Sequence, residues 1–177
     1  MALEISKELF SEIDYLIENQ LDKSIQELLN DEHHADIAEV LDELNLEQAT
    51  YIIKLLDSEK TSIILMELDE DVRERVLKNL SAKEIAEEID ELDTDDAADI
   101  IAELPEERQK RVISELDDDE HKADIQELLS YDEDSAGGLM AKELVRVNEN
   151  WTVPRCVKEM RIQAEEVTRV HSIYVVN

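Results

Sequence analysis

Apolar positions along this chain keep a strict beat: leucine stands at Leu44, Leu56, Leu68, Leu80, Leu92, Leu104, Leu116 and Leu128, each twelve residues after the last. A fixed period of this kind marks a repeated structural unit. Directly after the first seven leucines come Asn45, Asp57, Asp69, Ser81, Asp93, Pro105 and Asp117. Six of these are side chains that accept hydrogen bonds from free helix-start amides, and the seventh is a proline, which suits the first turn of a helix. Three and four positions before the leucines stand apolar pairs, Val40 and Leu41, Ile52 and Ile53, Ile64 and Leu65, Val76 and Leu77, Ile100 and Ile101, Val112 and Ile113. That spacing gives each beat one short helix with one apolar stripe. A helix of about nine residues is only ~14 Å long and marginal by itself, so each must draw its stability from its neighbours. Sliding the chain by 48 residues lays IAEVLDELNLEQATYIIKLL on IAEEIDELDTDDAADIIAEL without a gap. Residues 35 to 130 therefore read as an α-solenoid-like stack, preceded by an amphipathic segment from Leu3 to Leu29.

From Leu144 the pattern changes. LVRVN reads as a strand, WTVPRCVKEMRIQAEE as a helix with Thr152 at its cap and Pro154 in its first turn, and SIYVVN as a second strand. Three of the chain's four glycines and prolines lie in its last 41 residues, which also separates two architectures. The expected fold is mainly α. Residues 1–130 form an acidic helical domain, 131–143 a linker, and 144–177 a partial α/β domain cut inside its sheet.

Charge narrows the function classes. A net charge of -30 over 177 residues opposes binding to nucleic acid or anionic lipid and favours cations or basic proteins. The lone Cys156 forms no disulfide framework, fits a reducing compartment and is expected to be a small buried residue. No run approaches the ~18 apolar residues of a membrane span and no signal peptide is visible, so this stretch reads as soluble and cytoplasmic. His33, His34, His121 and His171 lack the spacing of a zinc site. Neither a nucleophile motif nor a phosphate-binding glycine loop occurs, and no catalytic residues are assigned: the chain does not read as an enzyme.

Two places carry candidate chemistry. In ELDTDDAADIIAEL the acids Asp93, Asp95, Asp96 and Asp99 crowd one helix start, whereas the repeat 48 residues earlier holds Asn45, Glu47, Gln48 and Tyr51 there. The repeat itself does not demand this density of carboxylate, and Asp95 and Asp99 sit four apart on one face, where like charges repel. A hard cation such as magnesium, which keeps several waters and takes one or two carboxylates, would relieve them. The second place, DEDSAGGLMAKE from Asp132 to Glu143, imitates a calcium loop but has Ala136 where an oxygen ligand is needed and no exiting helix. Gly137 and Gly138 are better read as a turn needing φ above zero and close backbone approach.

HHADIAEVLDELN, DTDDAADIIAELPEE, YDEDSAGGLM and LVRVNENWTVPRCVKEM followed by SIYVVN resemble, in order, the cytosolic part of the MgtE magnesium transporters and channels. The resemblance implies an N domain up to about residue 130 followed by the start of a first CBS domain. It further implies a parent protein that dimerises and lies at the cytoplasmic face of the cell membrane. Its partners would be its own CBS and transmembrane domains, not nucleic acid. By the same resemblance Mg2+ is the ligand, Asp95 and Asp99 match metal-binding acids, Gly138 matches a glycine whose backbone oxygen faces an ion, and bound ions hold a pore closed. In TSIILMELD, Ile63 and Ile64 occupy a stretch where relatives can carry a further acid. The reading from another class is a solenoid adaptor that binds a basic partner through its acidic face, with metal incidental. A nucleotide site on the CBS side is a third reading, which half a CBS domain leaves open.

Overall fold

The computed structural model describes residues 5–132, 134–164, 167, 170 and 172–177. Leu3, Glu133, Glu165, Glu166 and His171, which entered the readings above, lie outside the described residues. Among the described residues the chain forms eleven helices and two strands. They are α1 (Lys7–Glu18), α2 (Asp22–Leu29), α3 (His34–Glu43), α4 (Leu46–Ile53), α5 (Ser58–Glu67), α6 (Glu70–Asn79), α7 (Ala82–Ile89), α8 (Thr94–Ala102), α9 (Glu106–Glu115), α10 (Asp119–Leu128), β1 (Val145–Asn148), α11 (Val153–Gln163) and β2 (Ile173–Val176). From α3 to α9 each helix begins twelve residues after the previous one, which is the leucine beat made physical.

The caps explain where these helices start. Asn45 and Gln48 form a reciprocal capping box on α4, Ser81 and Glu84 form another on α7, and the Asp57 side chain accepts the Lys60 amide on α5. Asp69 and Pro105 hold the cap positions of α6 and α9 without a side-chain bond. At α10 the cap is Asp118, not Asp117: its carboxylate takes the amides of Glu120 and His121 and is held below the usual carboxylate range by them. In front of the beat the segment before Leu29 is two helices, divided at Gln20, whose φ is 54°.

The chain divides into two compact units. One holds residues up to Leu92 together with Glu103–Asp117, the other Asp93–Ala102 together with the chain from Asp118 on. In the first unit α3 packs on α5, α5 on α7, α7 on α9, and α4 on α6. Helices thus pair with their next-but-one neighbours. The expected stripes make this core: Val40, Leu41, Ile52, Ile53, Ile64, Leu65, Val76, Leu77 and Val112 are fully buried. Ion pairs and charged hydrogen bonds join further pairs of elements. Arg73 forks onto Glu103 and reaches the Leu65 carbonyl at the end of α5, Lys54 meets Glu84, and the Lys60 ammonium closes on the carbonyls of Leu29, Asn30 and Glu32 beyond α2.

In the second unit α8 packs on α10. Farther along, β1 pairs parallel with β2, Val145 opposite Ile173 and Asn148 opposite Val176, and α11 packs on β1. The Gln163 side chain ties α11 to the strand by accepting the Arg146 amide and donating to its carbonyl. Thr152 takes the cap position of α11 without a hydroxyl bond, and Arg155 lies 4.2 Å over the Trp151 ring. No residue of α11 is buried, so Cys156, expected inside, is half-exposed.

Adjacent isoleucines on α5 test the packing. Ile64 is fully buried and Ile63 is 38% exposed. Ile64→Ala should cost about 2–5 kcal/mol in urea unfolding, and Ile63→Ala less than about 1 kcal/mol.

Candidate functional site

The helix that carries the acid cluster starts at a buried threonine. Thr94 is 1% exposed, and both of its polar groups are taken by one carboxylate from 49 residues away: its amide donates to Glu143 Oε1 at 2.9 Å and its hydroxyl to Glu143 Oε2 at 3.0 Å. The Lys142 amide donates back to the Thr94 hydroxyl oxygen at 3.2 Å. On its other side the Lys142 ammonium pairs with Glu127 at 2.8 Å and approaches Asp124 at 4.0 Å, both on α10. A two-residue strap from the linker therefore clasps α8 and α10. The Glu143 carboxylate sits where free amides and the helix dipole favour negative charge.

That strap also adds a carboxylate to the cluster. Asp95 and Asp96 are half-buried one step inside the helix, and Asp99 is exposed a turn further on. Burial raises the Asp96 pKa above the ordinary aspartate value, and the neighbouring charges of Asp95, Asp93, Asp99 and Glu143 raise it further. Burial and like charge thus both work against the ionisation of Asp96. Among the described residues no three His, Cys, Asp or Glu side chains converge closely enough to hold a metal ion. The fold sets Asp95 and Asp99 on one helix and leaves any ion there to find further ligands.

Gly138 lies in the turn after α10, where its amide donates to the Ser135 hydroxyl at 3.1 Å and the Asp134 amide donates to the Asp132 carboxylate. Neither glycine has a positive φ, which corrects the expectation for this turn. Close approach is the reason at Gly137: a Cβ there would come within 2.7 Å of the Tyr131 ring. The resemblance to a calcium loop ends here, since Glu143, its twelfth position, is committed to Thr94. His33 is the cap of α3, accepting the Ala35 amide through Nδ1.

Sequence reasoning missed Thr94, Lys142 and Glu143 as partners of the cluster. No local signal could have joined residues 49 apart, because the strap is defined only once the linker folds back.

The described residues thus form an acidic stack of next-but-one helices and, later in the chain, a parallel strand–helix–strand. The chain belongs to the family described as the MgtE intracellular N domain, which matches residues 32–134. Over 56 residues it is 39% identical to the magnesium transporter MgtE of Thermus thermophilus. That match spans 32% of this chain and 12% of the relative's length. The cytosolic domain of the Mg2+ channel MgtE, solved in complex with ATP, superposes with a TM-score of 0.83 at 29% identity over 93% of this chain and 67% of its own. The soluble part of a magnesium transporter superposes at 0.77 and 23% identity over 97% of this chain and 67% of its own, a likeness of fold. No helix among the described residues is long and apolar enough to cross a membrane.

The strap has its own test. Glu143→Ala should open the start of α8, seen as amide hydrogen exchange ten-fold or more faster at Thr94 and the residues after it, at a cost of about 1–2 kcal/mol. Glu143→Gln, which keeps one acceptor, should fall between.

Proposed function

We propose that this chain is the magnesium-sensing regulatory region of an MgtE-type transporter or channel. In this reading residues 1–130 are the N domain, 131–143 the linker and 144–177 the first part of a CBS domain. The parent protein is a homodimer at the cytoplasmic face of the cell membrane. Its Mg2+ ions sit between the acids of α8 and acids of the CBS and membrane domains, and bound ions hold the pore closed.

The observation that carries this reading is the state of the acid cluster. Asp95, Asp96, Asp99 and Glu143 crowd one helix start, and their mutual field works against the ionisation of half-buried Asp96. Their chemistry fits the ion: all-oxygen, anionic donors suit a hard divalent cation, and a magnesium ion that keeps most of its waters needs only one or two of them. Asp95 and Asp99 would supply those carboxylates, and the Gly138 carbonyl would face an ion from the linker. Bound charge would relieve a repulsion that monovalent salt only screens. Family membership and the likeness to the cytosolic domain of an Mg2+ channel support the same assignment.

A chain carrying these residues and a complete CBS pair tests it. Millimolar Mg2+ should raise its thermal midpoint beyond an equal ionic strength of NaCl, and Asp95→Asn with Asp99→Asn should remove that excess. Equal shifts by the two salts would reduce the effect to screening. An excess that survives both substitutions, with loss of binding to a basic protein, would favour the adaptor reading.

A further inference from the structure

Among the described residues the apolar stripe carries one acid with a buried oxygen that no hydrogen-bond partner reaches. Four residues before each beat leucine stand Val40, Ile52, Ile64, Val76, Ile100 and Val112, all fully buried. At the equivalent place before Leu92 stands Glu88, and before Leu128 stands Asp124. Asp124 is approached by the Lys142 ammonium at 4.0 Å. For Glu88 no hydrogen-bond partner reaches Oε2, which is buried.

Glu88 borders a cavity of about 670 Å³ on the first unit. The charged groups around it are mostly of its own sign. Asp57, the cap of α5, faces it from one side, and Glu84, Glu87, Asp90 and Glu91 from α7 and the turn after it. Lys54 is the cation among the lining residues, and its ammonium is bound to Glu84 at 2.7 Å, holding that carboxyl down at about 2. Of the other cations on the packed helices, Lys60 of α5 lies on the carbonyls beyond α2, Lys83 of α7 on Glu87, Arg108 of α9 on the Leu80 carbonyl and Lys110 on Glu106, while Arg111 of α9 is exposed. A carboxylate in such a place meets desolvation and like charge together.

We infer that Glu88 is a proton-operated switch: protonated, it completes the apolar stripe of α7, and ionised, it loosens α7 against the turn that leads into α5. Burial first, then the charges of Glu87, Asp57 and Glu84, push its carboxyl up from 4.5 to about 7. The folded state then binds one more proton than the unfolded chain between these values. Stability from this group is complete below about pH 4.5, is lost as pH rises to about 7, and changes no further above it. The inference is independent of any metal at α8.

Carbon-detected NMR of the glutamate carboxyls in this 177-residue chain tests it directly. One resonance should titrate near neutral pH and be missing from Glu88→Gln. Asp57→Asn, which keeps a capping oxygen on α5, should lower that midpoint. In urea unfolding between pH 5 and pH 8, the wild type should lose ~10-fold or more in folding constant relative to Glu88→Gln. Glutamates that all titrate below about pH 5.5, or a wild type and Glu88→Gln with the same pH dependence, would overturn it.

Discussion

A helix of eight to ten residues cannot hold itself together in water, and the stack of short helices in this protein is arranged around that constraint. Nucleating each helix fixes several residues for its first hydrogen bond, and so few turns follow that propagation does not recover the cost. What offsets it is burial of one stripe per helix against a next-but-one neighbour, with α3, α5, α7 and α9 in one series and α4 and α6 in another. The buried valines, isoleucines and leucines at three and four residues before each beat leucine are the contact surface of that arrangement. The arrangement is local in sequence. Many of the side-chain hydrogen bonds and ion pairs between helices join residues 27 to 31 apart.

With 48 acids against 18 lysines and arginines, the placement of the few cations is informative. Several sit where they do two things at once: Arg73 joins Glu103 and the end of α5, Lys60 gathers three carbonyls beyond α2, and Lys142 holds α10 through Glu127 and Asp124. Half-buried and bidentate, the Arg73–Glu103 pair differs from the exposed lysine pairs at i,i+4, which contribute little. Arg73, Lys60 and Arg108 reach carbonyls at or just past the ends of other helices, where such carbonyls are free. The acid excess is spread over helix starts and last turns alike, Glu43, Glu67 and Glu115 among the latter.

Two of those acid positions depart from the repeat in opposite ways. At the start of α8 the departure is surplus carboxylate on a helix end, already shared with Glu143. At Glu88 it is a carboxyl in a place that six other repeats fill with a branched apolar side chain. Both raise a carboxyl's pKa, Asp96 and Glu88, and in both burial is the largest cause with like charge adding to it. Regularity elsewhere is what makes these two places legible as exceptions.

The number of helices in the beat, most of their buried faces and the cap positions at Asn45, Asp57, Asp69, Ser81 and Pro105 followed from the sequence because each depends on residues within about a dozen positions. Hydrophobic period and capping chemistry act at that range. The strand–helix–strand grammar after Leu144 was readable for the same reason. Tertiary structure decided what distant residues do to one another. The fold brought Glu143 and Lys142 to Thr94, moved the α10 cap to Asp118, placed Tyr131 against Gly137 and left Cys156 half-exposed. It also decided that Glu88 has like charge for company. Those outcomes turn on distances across the folded chain, and desolvation and Coulomb repulsion take their size from such distances alone.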